Sequence, residues 1–297
     1  MDDRLRGNFR IGALLTGGIL CAEVIGGILT NSIALLSDAT HVLADLSSLF
    51  LSWGALYLTS RPATDTRTFG WHRAEVLAGL ANGVTLLGLA LLILYGAIGR
   101  LVHPQEVAVF GMTLIGGIGL LANIGVALLM RSDAKRDLNV RGVYLHAMGD
   151  ALSSVGVVLG GFGMMFTGWF ILDPIVGIGI TAVILVGGFR LIADASHILL
   201  EGVPRDIDIN DVTNNLLAVE GVSGIHDLHI WGLCSHIHSL SAHISVDEKS
   251  RGRLNHIREE VEQRLKNTFN IYHTTLQMDC RSCTASSPPI STSFDRG

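Results

Sequence analysis

"SDATHVLADLSS", residues 37–48, lies inside a run that is otherwise apolar from Ile33 to Leu58. It holds two carboxylates, Asp38 and Asp45, and one imidazole, His41. Whether this run crosses a membrane decides the fold. A charged group at a bilayer centre costs at least ~2.5–3.5 kcal/mol, so such groups persist there for a chemical reason.

The composition favours the membrane. The 297 residues are 49% hydrophobic and 16% charged, with mean hydropathy +0.47. A soluble domain carries about 25% charged residues. Gly is abundant and Pro scarce, which suits close-packed membrane helices. Residues 1–200 hold 12 Lys/Arg against 13 Asp/Glu, net −1, and residues 201–297 hold 9 against 13, net −4. No basic patch points to nucleic acid. The start, MDDRLRGNFR, leads into a full-length span without a cleavage-site pattern.

A span needs roughly 20 apolar residues. Six segments qualify, at about 10–30, 33–58, 74–101, 106–130, 141–168 and 173–200. None alternates as a barrel strand does, so all six read as helices, whose backbone bonds close internally. Arg4, Arg6 and Arg10 precede the first; Arg61, Arg67 and Arg73 separate the second and third; Arg131, Lys135, Arg136 and Arg141 separate the fourth and fifth. The opposite side has only Arg100, which places both termini in the cytoplasm.

After residue 200 the pattern changes. Residues 208–219 read as a helix and "VSGIHDLHIW" as a strand. "SLSAHISV" alternates, with Leu240, Ala242, Ile244 and Val246 on one face and His243 on the other. Leu254, Ile257, Val261 and Leu265 follow at helical spacing, and "HTTLQMD" closes as a strand. The expectation is a six-helix membrane domain over 1–200, an α+β cytoplasmic domain of order αββαβ over 201–285, and a disordered tail over 286–297.

His41 and Asp45 are four residues apart, so they stand on one helix face. "LHAMGDALSS" repeats the arrangement in the fifth helix with His146 and Asp150. Two imidazoles and two carboxylates form an N2O2 set, which suits tetrahedral Zn²⁺, with Cd²⁺ and Co²⁺ as substitutes. A single such residue is as easily a hydrogen bond between helices. Two matched pairs are hard to explain as packing. Four protein ligands leave no open position for water, and no H-E-x-x-H occurs, so the set looks like a cargo site.

These residues belong to motifs that run the length of the chain: "SDATHVLAD", "FGWHRAEVLAGLANG" (69–83), "HAMGD", "LLEGVP" and "HDLHIW". Together they resemble the cation diffusion facilitator family, in the branch of bacterial zinc–cadmium–cobalt resistance exporters and vesicular zinc transporters. The resemblance implies a homodimer in the cell membrane, a metallochaperone-like (ferredoxin-like) cytoplasmic domain, and alternating access that exchanges Zn²⁺ for protons. It puts His41, Asp45, His146 and Asp150 on the transport site. It also makes His226, His243 and Asp279, with the C-x-x-C of Cys280 and Cys283, cytoplasmic zinc ligands, against the plainer reading of solvated strand and loop residues. His72 and His273 resemble a pair holding a metal between the two domains, and Arg73 and Glu201 a coupling charge pair.

Two departures stand out. The loop "RSDAKRDLNVRG" has no histidine-rich insert, and Arg67 and Trp71 stand where some bacterial relatives offer ligands. "CSHIHS", with Cys234, His236 and His238, lies at a hairpin where polar residues are expected anyway. Asp38 and Glu23 fit either a proton path or packing hydrogen bonds, and Asn82 does too. The rival functions are a membrane metalloenzyme, which needs an open metal position and a base, and a membrane-anchored zinc sensor, which needs no buried HxxxD pairs.

Overall fold

The computed structural model describes residues 3–131 and 138–280. Six long helices come first: α1 (Asp3–Thr30), α2 (Ile33–Thr59), α3 (Arg73–Val102), α4 (Val109–Met130), α5 (Leu138–Thr167) and α6 (Leu172–Leu199). α2 to α6 each contain a stretch long and apolar enough to cross a membrane, and α1 contributes the shorter apolar stretch Leu14–Thr30. Large apolar side chains such as Leu29, Leu92, Tyr95, Phe166 and Phe189 are exposed on these helices. In water such surface would drive aggregation; facing lipid it costs nothing.

The described chain divides into two compact units. One takes the residues up to Gly54 with Ala78–Ile192; the other takes Ala55–Leu77 with the residues from Ala193 onward. The ends of α2, α3 and α6 therefore belong with the C-terminal part.

Small residues let the helices of the first unit approach closely. A Cβ on Gly161 would collide with Thr113, and one on Gly116 would come within 2.8 Å of Val157, so these two glycines set the α4–α5 distance. At one end of the bundle a polar clasp replaces apolar packing. Asn31 turns the chain between α1 and α2 with φ 54. Fully buried Asp173, in the first turn of α6, accepts hydrogen bonds from Ser32 Oγ (2.6 Å), Ile33 N (2.8 Å) and Ala34 N (3.2 Å). It thereby satisfies the free N–H groups that open α2. Arg100, near the end of α3, donates to the Asn31 backbone oxygen and to Asn31 Oδ1 (2.6 Å), and lies 3.9 Å from Asp173. Arg100 is thus a structural tie.

In the second unit, α7 (Ile209–Leu217) precedes β1 (Val222–Cys234) and β2 (Ile237–Val246). A 3₁₀ turn (Glu248–Arg253), α8 (Leu254–Phe269) and β3 (Ile271–Cys280) follow. The order αββαβ is the expected one. Asp208 caps α7 by accepting from Asn210 N at 2.7 Å. α8 starts at Leu254 because the preceding EKSRGR has no apolar residue to bury and carries Gly252. The sheet runs β1-β2-β3, antiparallel then parallel. Leu240, Ala242, Ile244 and Val246 of β2 bury one face against Val212 and Leu216 of α7 and Ile257, Val261 and Leu265 of α8. That leaves His243 on the open face, as the alternation requires.

Candidate metal centre

α2 and α5 supply the intramembrane cluster. The i,i+4 spacing puts His41 above Asp45 and His146 above Asp150, and the two helices meet so that the pairs cross. His146 Nε2 lies 3.1 Å from Asp45 Oδ2 and 3.7 Å from Asp150 Oδ2. His41 Nε2 lies 3.4 Å from Asp150 Oδ1. The two imidazole centroids are 6.3 Å apart. His41, Asp45 and Asp150 each offer a ligand atom within 4.8 Å of the others, the one such group among the described residues. His146, more exposed, lies outside that group and beside Asp45 and Asp150.

Asp45 Oδ2 and Asp150 Oδ1 are buried, and no well-formed hydrogen bond reaches either. Buried carboxylate oxygens without donors are costly unless a cation meets them. A divalent ion at this point would meet two carboxylates and the His41 imidazole, with His146 beside Asp45, donor types that suit a zinc-type site.

Asp38, three residues before His41, is only 1% exposed but plays a different part. Ser154 Oγ donates to its Oδ2 at 3.0 Å, and Ser153 Oγ to its Oδ1. Its lone pairs are therefore taken by α5 hydroxyls, which ties α2 to α5 beside the quartet. Neither serine was singled out in the sequence, where both read as ordinary small helix residues. Asn82 of α3 donates to Ser48 of α2 at 2.7 Å, a packing hydrogen bond. Glu23 of α1 is 1% exposed and makes no hydrogen bond at all among the described residues.

On the open face of the sheet, His226 pairs across the strands with His243, and Ser245 with Asp279. His243 Nδ1 is 3.7 Å from Asp279 Oδ2, and its Nε2 is 3.9 Å from Asp227 Oδ2. Asp227, with φ 50, sits in the bulge between His226 and His229 and also receives His229 Nε2 at 2.9 Å. The bulge swings this aspartate into the cluster, which a strict strand alternation hides. Gln277 Nε2 donates to Asp279 Oδ1 at 3.0 Å. His226 is exposed, and its side chain makes none of these polar contacts. Cys280 ends β3 opposite Val246; its side chain and the whole of Cys283 lie outside the described residues.

Arg73 Nη2 meets Glu201 Oε1 at 3.0 Å, as the motif pairing implies. His72 and His273 are not joined by a hydrogen bond, ion pair or ring contact. His273 sets its ring edge-on to Phe69, centroids 6.4 Å apart. His72 instead lines a cleft of about 940 Å³ with His229, Arg73 and Glu201. At the hairpin, Cys234 is buried, His236 exposed, and His238 lies 3.7 Å from Asp206, with no cluster of three ligands formed.

The cation efflux transmembrane domain matches residues 9–200, and the cytoplasmic domain of cation efflux proteins matches residues 204–280. The cadmium, cobalt and zinc/H(+)-K(+) antiporter of Bacillus subtilis is 41% identical over 276 residues, covering 91% of this chain and 87% of that one. The metal cation efflux system protein CzcD of Cupriavidus metallidurans is 38% identical, covering 93% and 87%. The proton-coupled zinc antiporter SLC30A8 of Xenopus laevis is 32% identical, covering 91% and 77%. The crossed His/Asp pairs thus sit in a chain matched along both of its domains, and that chain belongs to the cation efflux family, a family of membrane transporters and not of enzymes.

Proposed function

We propose that this protein exports Zn²⁺ from the cytoplasm in exchange for protons, with Cd²⁺ and Co²⁺ as further cargo. The observation that carries the reading is the crossing of the two pairs, His146 to Asp45 at 3.1 Å and His41 to Asp150 at 3.4 Å. Two carboxylates offset the charge of a divalent ion in a low dielectric, and two imidazoles bias the set toward zinc-type metals. Four protein donors leave no position open for an activated water, which suits an ion that is held and released. The relatives named as proton-coupled antiporters support the counter-ion.

The quartet would then be offered alternately to the two sides of the cell membrane, with both termini on the cytoplasmic side. The cytoplasmic domain would join two copies into a homodimer and hold zinc of its own. His226, His243 and Asp279, with Cys280 and Cys283, would bind that zinc, aided by Asp227. Imidazole, carboxylate and thiolate are suitable zinc donors. Arg73 and Glu201 would keep the end of α3 in step with the cytoplasmic domain. In this reading His72 and His273 would hold a metal between the membrane and cytoplasmic domains.

Purified protein in sealed liposomes, with a zinc dye inside and an imposed pH gradient, tests the reading. Zinc should accumulate against its gradient while protons move the other way. Tight zinc binding with no flux under any gradient would instead favour a sensor.

A further inference from the structure

The quartet leaves one deeply buried carboxylate without a task. Glu23 lies in α1, 1% exposed, with neither carboxylate oxygen hydrogen-bonded among the described residues. It packs against Gly119 of α4, where an added Cβ would stand 2.8 Å from Glu23 Oε1 and 3.8 Å from Ser154 Oγ. Ser154 in turn donates to Asp38 Oδ2 at 3.0 Å. One turn along α4 from Gly119, Asn123 Nδ2 is also buried with no acceptor. The ionisable groups whose charge acts on Glu23 are Asp38 of α2 and Asp150 of α5, both acidic. Among the described residues no Lys, Arg or His forms an ion pair with it.

An isolated ionised carboxylate at this depth is expensive, and two further acids nearby make it more so. A packing role would show as a hydrogen bond to a neighbouring helix, and none is found among the described residues. The charge must therefore be compensated by a metal or alkali cation, or by a proton. A hard metal cation needs about six or more oxygens around it. Among the described residues Glu23 belongs to no group of three side chains that could hold such an ion. A proton needs no such group.

We propose that Glu23 holds a proton in this conformation and is a proton-carrying residue of the exchange, linked to the neighbourhood of the zinc quartet through Ser154 and Asp38. Once the Glu23 carboxyl closes on Ser154 Oγ and hydrogen-bonds to it, its proton passes to Oγ as the serine passes its own hydroxyl proton to Asp38, so the serine is regenerated and one charge is moved. Gly119 keeps the space between the acid and the hydroxyl open, since a Cβ there would crowd Glu23 Oε1 and stand in van der Waals contact with Ser154 Oγ. This inference rests on the proton-exchange reading above.

The test compares the full-length protein with Glu23→Gln and Glu23→Asp in proteoliposomes carrying zinc and pH dyes. Gln preserves the shape of the site but cannot release a proton. The expected result is that Glu23→Gln binds zinc as tightly as the parent by calorimetry, yet loses the acceleration of zinc flux by a pH gradient. Glu23→Asp should restore part of that response. If the parent protein itself moves no protons against zinc, the antiport reading fails and takes this inference with it. If the parent couples and Glu23→Gln couples equally, the inference alone is overturned and Glu23 only fills space. Loss of zinc binding in Glu23→Gln, or loss of the response to a potassium gradient but not to a pH gradient, would equally overturn the proton assignment.

Discussion

His146 of α5 reaches Asp45 of α2 at 3.1 Å, nearer than the 3.7 Å to its own helix partner Asp150. Each histidine is thus matched with the carboxylate of the opposite helix, and neither helix carries a complete site. A small rotation or slide of α2 against α5 would separate the donors without breaking any backbone bond. That suits a site which must bind in one arrangement and let go in another. Asp38, held by Ser153 and Ser154, is the tie that such a movement would strain.

Asp150→Ala should abolish zinc flux. Asp150 is the most buried donor of the quartet and the one facing both histidines. Removing it leaves a divalent charge half compensated. Since loss of even an indirect metal partner costs 10–100-fold in affinity, the drop here should be about 100-fold or more by calorimetry. Substantial flux from this variant in vesicles would rule out the quartet as the transport site.

His41→Asp should weaken the preference for Zn²⁺ over Mn²⁺. The helix α2 would then offer two carboxylates, a harder oxygen pair with less geometric demand. Competition uptake with mixed metals reads the change directly. An unaltered uptake ratio would place selectivity elsewhere in the chain.

The helix pairs were legible in the sequence because the 3.6-residue period alone puts His41 over Asp45 and His146 over Asp150. Their crossing was not, since the rotation of α2 against α5 is set by packing contacts far apart in the chain. Asp38 shows the same limit: its two hydroxyl partners on α5 lie 115 and 116 residues further along the chain, and nothing local announces them. In the sheet, β2 was read correctly because its burial follows strict alternation. The β1 bulge breaks that alternation, which is why Asp227 escaped notice while His226 and His243 did not. The link from Arg100 to Asn31 and Asp173 joins residues 69 or more positions apart, and no local pattern announces it.

Asp173→Ala should destabilise the membrane unit strongly. The substitution strands Ser32 Oγ and the Ile33 and Ala34 N–H groups, and removes the anion near Arg100. Breaking a buried charged arrangement from one side costs about 3–5 kcal/mol. In a detergent melt this should appear as a clear fall in midpoint, and Asp173→Asn, which keeps an acceptor oxygen, should lie between the two. Equal midpoints for all three proteins would show that the clasp contributes nothing.

The final prediction concerns pH. Zinc binds only neutral imidazole, so protons compete with the metal at His41 and His146. Each histidine also faces a carboxylate across the helix interface. The sign follows directly: zinc affinity falls as pH drops through the histidine titrations, and it is fully present only above them. Where both rings must lose a proton, affinity should fall by up to about a hundredfold per pH unit. Such a site loads on the side of higher pH and unloads on the more acidic side, carrying protons back as it resets. Replacing both histidines by Asp should flatten the dependence over the same range, since carboxylates titrate lower. Calorimetry across a pH series on the parent and on the double variant checks both halves. A parent protein whose zinc affinity does not change with pH would remove the competition on which the exchange depends.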